Sequence, residues 1–460
     1  LDAILAGSQN LFQTQAASTK ITGGADDMLN DSKARALIYN AEFAPRVAAI
    51  RDRVPHLQVL LQVADHSGNE LLPGAVEYEY AITTPAPADG LPQPSGDDLY
   101  ILYTGGTTGM PKGVLWRQHD IFLSSMGGRP FGSDQPLASY EELAEKARSA
   151  GGGMSMLMIP PFMHGAAQWA AYNAITMGGK LVIPDDVERL RPADALRLAE
   201  RERVLSIPVV GDAVARPLVE EIETGDYDLS GLFTISNGGA ALSPTVRERI
   251  LTALPHLMLL DAVGASESGA QMSTFSTAGE PTAAATFSAQ SDTAVVAEDL
   301  SRVLGPGEGG GWLARRDLIP LGYLCDAEKS ARTFPTIAGV RWSVPGDRAN
   351  VLPDGRIELL GRDSVTINSG GEKIFVEEVD EDFQVLYVWP GGRGPEAEEV
   401  DPETQEDVRE LDGDLLDLEP AVRDAVVPGF PFQPVCTPDC PGLCDRCGAR
   451  LADDPDHEHD

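Results

Sequence analysis

The sequence has no long apolar run, and its first residues do not place a basic region before an apolar one. A membrane-spanning helix needs an apolar run of about 18 residues or more, so we expect no transmembrane segment. A secretory signal peptide needs the basic-then-apolar order, so we expect no export. The chain begins at Leu1 without a methionine, and we expect its natural start to be missing. These absences predict a globular, cytoplasmic protein.

Positive charge is scarce. The chain has 35 Lys and Arg against 71 Asp and Glu, a formal net charge of -36, and no lysine follows Lys373. Lys and Arg supply most of the affinity for a nucleic-acid backbone by releasing counterions, so we expect no direct nucleic-acid binding. Hydrophobic residues make up 42% of the 460 residues, which is enough for two or three domains with sizeable cores.

A Gly- and Thr-rich segment directly follows a predicted strand at residues 100–103. Its members are Thr104, Gly105, Gly106, Thr107, Thr108 and Gly109, with Lys112 close behind. The backbone N–H groups and hydroxyls of such a turn can surround phosphate oxygens, and the lysine adds positive charge. The segment lacks the Gly-Lys-Ser/Thr ending of a Walker A loop, which excludes that class. A Gly/Thr-rich hairpin without a ligand is the alternative.

Strand and helix patterns alternate along the chain, which predicts an α/β fold of layered sheets and helices. We expect strands at 34–39, 57–63 and 180–184, helices at 43–54, 192–203 and 244–254, and β structure from about residue 300, including a hairpin at 348–360. Residues 1–28 predict a poorly ordered leader. We place the large domain at 29–362, a hinge and the start of a small domain at 363–380, and an acidic tail at 381–460.

The segment from Tyr100 to Val114 resembles the signature loop of the adenylate-forming superfamily. Residues 103–116, together with residues 368–375, are most similar to bacterial fatty acyl-CoA synthetases. The resemblance implies an ATP-dependent ligase that converts a fatty acid to an acyl-adenylate and then to acyl-CoA. It implies ATP, Mg²⁺ and the cosubstrate CoA. It also implies an N-terminally truncated large domain, because this loop lies nearer the start of the chain than is usual in the family.

Two further segments resemble the nucleotide-binding motifs of the superfamily. Gly238, Gly239 and Ala240 match the small-residue segment that lies against adenine, where a tight turn before a helix is the alternative. Ser266 and Glu267 match the Thr-Glu motif, which implies that Glu267 associates with Mg²⁺. The alternative for Glu267 is an ordinary solvated acid. The aromatic residue that stacks on adenine in the family is replaced here by Val263.

Other segments resemble the family's substrate-side motifs. His164 follows a double proline, and the resemblance places it beside the acyl carboxylate; a structural histidine is the alternative. Asp347 and Arg362 match the residues that meet the ribose and the α-phosphate, with a surface ion pair as the alternative. The resemblance implies catalytic roles for His164, Glu267 and Lys112.

The acidic tail resembles the C-terminal half of the YceD family, which is associated with accumulation of large-subunit ribosomal RNA. The superfamily's small domain carries a lysine that acts in adenylation, and this chain has no lysine in its tail, so we expect impaired activity. The alternative function is a non-catalytic nucleotide-binding fusion protein whose tail meets a ribosome-assembly partner.

Four of the five cysteines lie close together in the tail: Cys436, Cys440, Cys444 and Cys447. This spacing predicts a small four-cysteine Zn²⁺ site. An iron-sulfur cluster is the next alternative, and disulfides are disfavoured without an export signal. We expect the fifth, Cys325, to be a core thiol.

Overall fold

The computed structural model describes residues 10–13, 25–85, 93–104, 112–130, 133, 135–152, 154–187, 189–279, 286–362, 366–369, 372–375, 386–388 and 408–410. The chain divides into two compact units, Leu1–Ile374 and Phe375–Asp460. In the second unit, a strand at Leu386–Val388 pairs in parallel with one at Val408–Glu410. The first unit carries every candidate site residue of the large domain.

The helices of the first unit are α1 (Ala25–Asp31), α2 (Ala44–Ile50), α3 (Tyr78–Thr83), α4 (Gln118–Ser125), α5 (Tyr140–Ser149), α6 (Gly165–Thr176), α7 (Pro192–Glu202), α8 (Gly211–Thr224), α9 (Pro244–Ala253) and α10 (Ala327–Thr333). Short 3-10 turns at Ala41–Phe43 and Arg51–Arg53 flank α2. No helix in the described part of the chain is long and apolar enough to cross a membrane.

The strands of the first unit are β1 (Asn10–Gln13), β2 (Ala36–Asn40), β3 (Val59–Val63), β4 (Val76–Glu77), β5 (Leu99–Thr104), β6 (Lys112–Arg117), β7 (Ser155–Leu157), β8 (Lys180–Val182), β9 (Ser206–Val209), β10 (Thr234–Gly238), β11 (Met258–Ala265), β12 (Gly269–Ser276), β13 (Thr286–Phe287), β14 (Thr293–Val296), β15 (Gly309–Arg316), β16 (Gly322–Tyr323), β17 (Thr336–Ile337), β18 (Val340–Ser343), β19 (Asp347–Val351), β20 (Ile357–Arg362), β21 (Thr366–Ser369) and β22 (Glu372–Phe375).

Three of the sheets formed by these strands position the candidate site. The first has the order β1-β5-β6-β16, with β5 and β6 as an antiparallel hairpin. The second has the order β12-β11-β10-β9-β7-β8 and is parallel except for the β11–β12 pair. The third has the order β13-β20-β19-β15-β18-β17, with β14 beside β15. A smaller parallel sheet, β2-β3-β4, lies near the start of the unit.

The second sheet has a large apolar core, to which its flanking helices contribute one face each. Helix α7 buries Ala195, Leu196 and Ala199, whose spacing of one helical turn puts them on the same side. Helix α9 begins at a Ser243 cap, whose hydroxyl accepts the Val246 N–H, and at Pro244. Proline suits this position because its missing N–H would have no helical partner there. These helices hold the carboxyl ends of the parallel strands in fixed positions.

The structure confirms the mixed α/β class and the expected hairpin, which is β19 and β20. The helix expected at 43–54 is divided into α2 and its two flanking 3-10 turns. We expect residues 1–28 to form a poorly ordered leader. Within this segment the structure describes only β1, which pairs in parallel with β5, and the start of α1. Of the segment 363–380, where we expect a hinge and the start of a small domain, only residues 366–369 and 372–375 are described, and the four tail cysteines lie outside the described residues.

Candidate active site

The candidate phosphate loop connects β5 to β6. Thr104 ends β5 and Lys112 begins β6, and the two are opposite each other in the antiparallel register. Residues 100–103 of β5 are all buried, so the strand that leads into the loop is anchored in the core. The remaining loop candidates, Gly105, Gly106, Thr107, Thr108 and Gly109, lie outside the described residues. Both ends of the loop are therefore fixed at one edge of the first sheet.

Lys112 forms an ion pair with Asp326. Its Nζ lies 3.0 Å from Asp326 Oδ2, and both side chains are about three-quarters buried, with exposed fractions of 28% and 23%. Asp326 also caps α10 by accepting the Lys329 backbone N–H at 3.0 Å. This N–H and then the Lys112 ammonium lower the pKa of Asp326 below its ordinary value. The candidate phosphate-binding lysine is thus paired with a carboxylate.

Glu267 lies in the turn between β11 and β12, and hydrogen bonds fix that turn against neighbouring strands. The Tyr323 hydroxyl donates to Glu267 Oε1 at 2.8 Å, and the Ser343 hydroxyl donates to the Glu267 carbonyl oxygen at 2.6 Å. The indole N–H of Trp116, on β6, donates to the carbonyl oxygen of Ser266 at 2.9 Å. These contacts bring the candidate metal-binding carboxylate beside the hairpin that carries Lys112.

The donors at this turn fit Mg²⁺. The cation prefers oxygen ligands, and nucleotide enzymes commonly hold it with one or two carboxylates together with substrate phosphates. Glu267 uses Oε1 as an acceptor for Tyr323, and within the described part of the chain no hydrogen bond occupies Oε2. Glu267 is the residue of this turn that would hold Mg²⁺, which would neutralise phosphate charge there.

The candidate adenine segment follows β10. Gly239 has φ of +79°, a left-handed conformation that favours glycine. A Cβ on Gly238 would meet only the Ala262 carbonyl oxygen, at 3.5 Å, which is an ordinary contact. The backbone turn thus requires Gly239 more than Gly238. Ala240 follows, and its carbonyl oxygen accepts the Asn237 amide at 3.1 Å.

Asn237 is a functional candidate that the sequence analysis missed. It is buried, and its Oδ1 accepts the Gly211 N–H at 2.8 Å while its Nδ2 also donates to Asp261 at 3.1 Å. Asp261 forms a buried ion pair with Arg247 of α9. This network fixes the adenine segment to α8, α9 and β11. The sequence carries a signal for this pair, because Asn237 and Asp261 each follow a mostly apolar segment.

Val263 lies on β11, and its side chain is partly buried. It packs against a hydrophobic cluster that includes Met272, Phe287 and Leu313. The position that carries a stacking aromatic in the family therefore contributes to the core between the second and third sheets.

His164 is the residue before the first turn of α6. Its backbone N–H bonds to the Pro161 carbonyl oxygen at 3.1 Å. Gly165, which follows, packs so closely on β5 that a Cβ there would lie 2.6 Å from Leu102 and 2.8 Å from Trp169. This close approach requires glycine and brings the start of α6, with His164, against the strand that leads into the phosphate loop.

Asp347 and Arg362 are opposite each other on the antiparallel strands β19 and β20. Ser343, which contacts Glu267, precedes Asp347 by only four residues, so the hairpin starts near the candidate metal site. The side chain of Arg362 lies outside the described residues. The register puts the Arg362 backbone directly across from Asp347.

The prediction for Cys325 is wrong, because this thiol is exposed. It lies in the turn between β16 and α10 with φ of +53°, where no core can cover it. Among the described residues, no group of three or more His, Cys, Asp or Glu side chains could hold a metal ion. The predicted zinc site lies in the part of the chain that the structure does not describe, and it stays a prediction.

Comparison with known proteins defines the class. The sequence model of the AMP-binding enzyme family matches residues 23–324, so the chain belongs to that family. The model of the large ribosomal RNA subunit accumulation protein YceD matches residues 373–460.

Particular relatives are acyl-CoA ligases by name. The medium-chain acyl-CoA ligase Mig of Mycobacterium avium is 56% identical over 358 residues, which are 77% of this chain and 64% of Mig. The medium/long-chain-fatty-acid--CoA/3-oxocholest-4-en-26-oate--CoA ligase of Mycobacterium tuberculosis strain H37Rv is 38% identical over 356 residues, with the same two coverages of 77% and 64%. The chain thus spans 64% of the length of these relatives.

Solved structures share the fold. The inhibitor-bound N-terminal domain of FACL13 from Mycobacterium tuberculosis matches with a TM-score of 0.57 at 19% identity, over 73% of this chain and 76% of that one. The anthranilate CoA ligase AuaEII in complex with anthranoyl-AMP matches with a TM-score of 0.57 at 19% identity, over 76% and 63%.

Proposed function

We propose that this chain is an ATP-dependent fatty acyl-CoA ligase with impaired adenylation. One observation supports the proposal above the others: hydrogen bonds from Trp116 and Tyr323 tie the Glu267 turn to β6, which carries Lys112, and to β16, which pairs with β6. Enzymes that act on nucleotides commonly combine a phosphate-binding lysine with a carboxylate that holds the metal ion. The names of the relatives favour a medium-chain fatty acid as the substrate.

The proposed reaction has two steps. In the first, a carboxylate oxygen of the fatty acid attacks the α-phosphorus of ATP, the bond to the β-phosphate breaks, and pyrophosphate leaves. In the second, the sulfur of CoA attacks the acyl carbonyl carbon, AMP leaves with its bonding electrons, and the thiol proton passes to solvent. Residues 367–373 resemble the segment that approaches CoA in the superfamily.

We assign a role to each candidate residue. Thr104 and Lys112, with Gly105, Gly106, Thr107, Thr108 and Gly109, would bind the phosphates. Gly238, Gly239, Ala240 and Ser266 would border the nucleotide, Asp347 and Arg362 its ribose and α-phosphate, and His164 the acyl carboxylate. Bound Mg²⁺ would neutralise phosphate charge. Lys112 would leave Asp326 for a phosphate oxygen, which replaces one anionic partner by another.

Adenylation is the step that we expect to be slow. The superfamily's small-domain lysine has no counterpart here, because the chain contains no lysine after Lys373. The YceD match begins at residue 373 and supports a tail of different origin. We propose that this tail binds Zn²⁺ through Cys436, Cys440, Cys444 and Cys447.

The same two observations favour a second candidate function. In it, the large domain binds nucleotide without catalysis, and the tail meets a partner in ribosome or rRNA assembly. This candidate predicts nucleotide binding without pyrophosphate release.

ATP–pyrophosphate exchange with a panel of fatty acids tests the proposal. We expect Mg²⁺-dependent exchange that is strongest with a medium-chain acid and is abolished in Glu267→Gln. The matched control is Glu145→Gln, since Glu145 is 72% exposed on α5 in a pair with Arg148. Exchange that survives in Glu267→Gln contradicts the assigned role. Nucleotide binding with no exchange in the unmodified chain selects the second candidate.

A further inference from the structure

Lys329, in the first turn of α10, is a partly buried lysine that the proposed site does not yet use. Its Nζ lies 4.6 Å from the centroid of the Tyr323 ring. Burial lowers the pKa of its ammonium below the usual value; the charge of Glu267 opposes that shift, Lys112 adds to it, and Asp326 opposes it. The Lys329 ammonium therefore interacts electrostatically with Glu267, Asp326 and Lys112 of the candidate site.

Among the residues that the structure describes, no carboxylate oxygen lies within ion-pair distance of the Lys329 amine. Three other lysines each have such a partner: Lys112, Lys146 and Lys180. A cation that is partly removed from water without a counter-charge destabilises the folded state and so lowers the free energy of unfolding. The contact with the Tyr323 ring offsets only part of that cost. An anionic ligand would supply the missing counter-charge.

The position of Lys329 is fixed on both sides. Its backbone N–H bonds to Asp326 Oδ1 at 3.0 Å. The next residue, Ser330, accepts the Tyr323 N–H at 2.8 Å and donates to the Asp326 carbonyl oxygen at 2.6 Å. The first turn of α10 is thus attached to β16, which lies beside the start of β6, where Lys112 is located.

Lys112 and Lys329 therefore flank the same acid at the end of the phosphate hairpin. Lys112 bonds to Asp326 Oδ2, and the backbone of Lys329 bonds to Asp326 Oδ1. Through the Tyr323 ring, Lys329 also approaches Glu267, to which the hydroxyl of that tyrosine donates. A ligand with several negative charges would meet two ammonium groups and, through Mg²⁺, Glu267.

We propose that Lys329 is a second phosphate-binding lysine of this site, and that with Lys112 it binds the β- and γ-phosphates of ATP and hence the departing pyrophosphate. The inference rests on the proposed function, because it assumes that the hairpin binds a nucleoside triphosphate. AMP lacks these two phosphates and makes no use of Lys329. Lys329 thus increases the affinity of the site for ATP without increasing its affinity for AMP.

The test is the affinity of the full-length chain for MgATP, magnesium pyrophosphate and AMP, measured by calorimetry. Lys329→Met removes the charge and keeps the length of the side chain. We expect this variant to bind ATP and pyrophosphate with about tenfold lower affinity and to bind AMP with an affinity within about twofold of that of the unmodified chain. Lys329→Arg, which retains a cation, should recover most of the loss. Lys146→Met is the matched control, because Lys146 is 52% exposed on α5.

Each possible result of these measurements either supports or overturns the inference about Lys329. Unchanged affinity for ATP and pyrophosphate in Lys329→Met overturns it, and so does an equal loss for AMP, which would mean a structural role. A large fall in melting temperature in both Lys329 variants also overturns it. If the unmodified chain binds AMP, ATP and pyrophosphate, the proposed site stands whatever the variants do. If the unmodified chain binds none of the three, both the site and the inference fail.

Discussion

The buried pair of Arg247 and Asp261 should contribute strongly to the stability of the fold and should fix the position of the adenine segment. The two side chains are only 10% and 11% exposed. Loss of one partner leaves the other charge buried, which costs about 3–5 kcal/mol in comparable pairs. Arg247 keeps a weak second contact with the Ser276 hydroxyl at 3.4 Å. We therefore expect Asp261→Asn to lower the free energy of unfolding by about 3 kcal/mol, near the lower limit.

Urea unfolding followed by tryptophan fluorescence measures this change. Asp194→Asn is the matched control, because Asp194 pairs with Arg197 on the surface and the two side chains are 69% and 67% exposed. An exposed pair contributes less than about 1 kcal/mol. Replacing both buried partners, as Arg247→Met with Asp261→Leu, should recover much of the lost stability, since no unpaired charge remains.

A functional measurement accompanies the stability measurement. Asn237 donates to Asp261 and to Ala240, so Asp261→Asn should loosen the adenine segment and weaken AMP binding several-fold at a temperature where the variant is folded. If Asp261→Asn is as stable as the control variant, the charge of Asp261 does not stabilise the buried Arg247. If stability falls and AMP affinity is unchanged, the network does not position the segment.

Three further changes test other contacts of the site. Gly165→Ala should destabilise the chain by about 1–3 kcal/mol in thermal unfolding, because its Cβ would overlap Leu102; equal stability would contradict the close approach. Tyr323→Phe removes the donor to Glu267 and should change the Mg²⁺ concentration needed for exchange without unfolding the chain; an unaltered Mg²⁺ titration would contradict that link. For Asp326, whose folded pKa is lowered, the stability advantage over Asp326→Asn should be present above the ordinary pKa of 3.8 and be lost as pH falls through the folded value; an advantage that persists in stronger acid would refute the ion pair.

Local signals predicted much of the fold. Ser243 and Pro244 marked the start of α9, and Pro353-Asp354-Gly355 marked the turn between β19 and β20, with Gly355 at φ of +85°. These features depend on the conformational preferences of a few adjacent residues. The sequence is therefore sufficient to place them.

Contacts between distant residues were not predictable in the same way. Asn237 and Asp261 meet because β10 and β11 pair in parallel in one register. Lys112 and Asp326 meet across 214 positions of sequence. Cys325 was misplaced because cysteine is usually buried, whereas here the turn between β16 and α10 faces water. Pairing register and turn exposure are properties of the assembled sheets and are not encoded in a short window.

The pairing of β16 with β6 has a consequence for how the chain folds. The hairpin that ends at Arg117 can form early, because its two strands are neighbours in sequence. The outer edge of β6 is covered only when Gly322 and Tyr323 pair with it, and these two residues are synthesised after every strand of the second sheet. Until then, β6 exposes unpaired backbone groups that can pair with another chain. A ribosome-bound or proteolysed fragment that ends before residue 322 would therefore be prone to aggregate through β6, the strand that begins at Lys112.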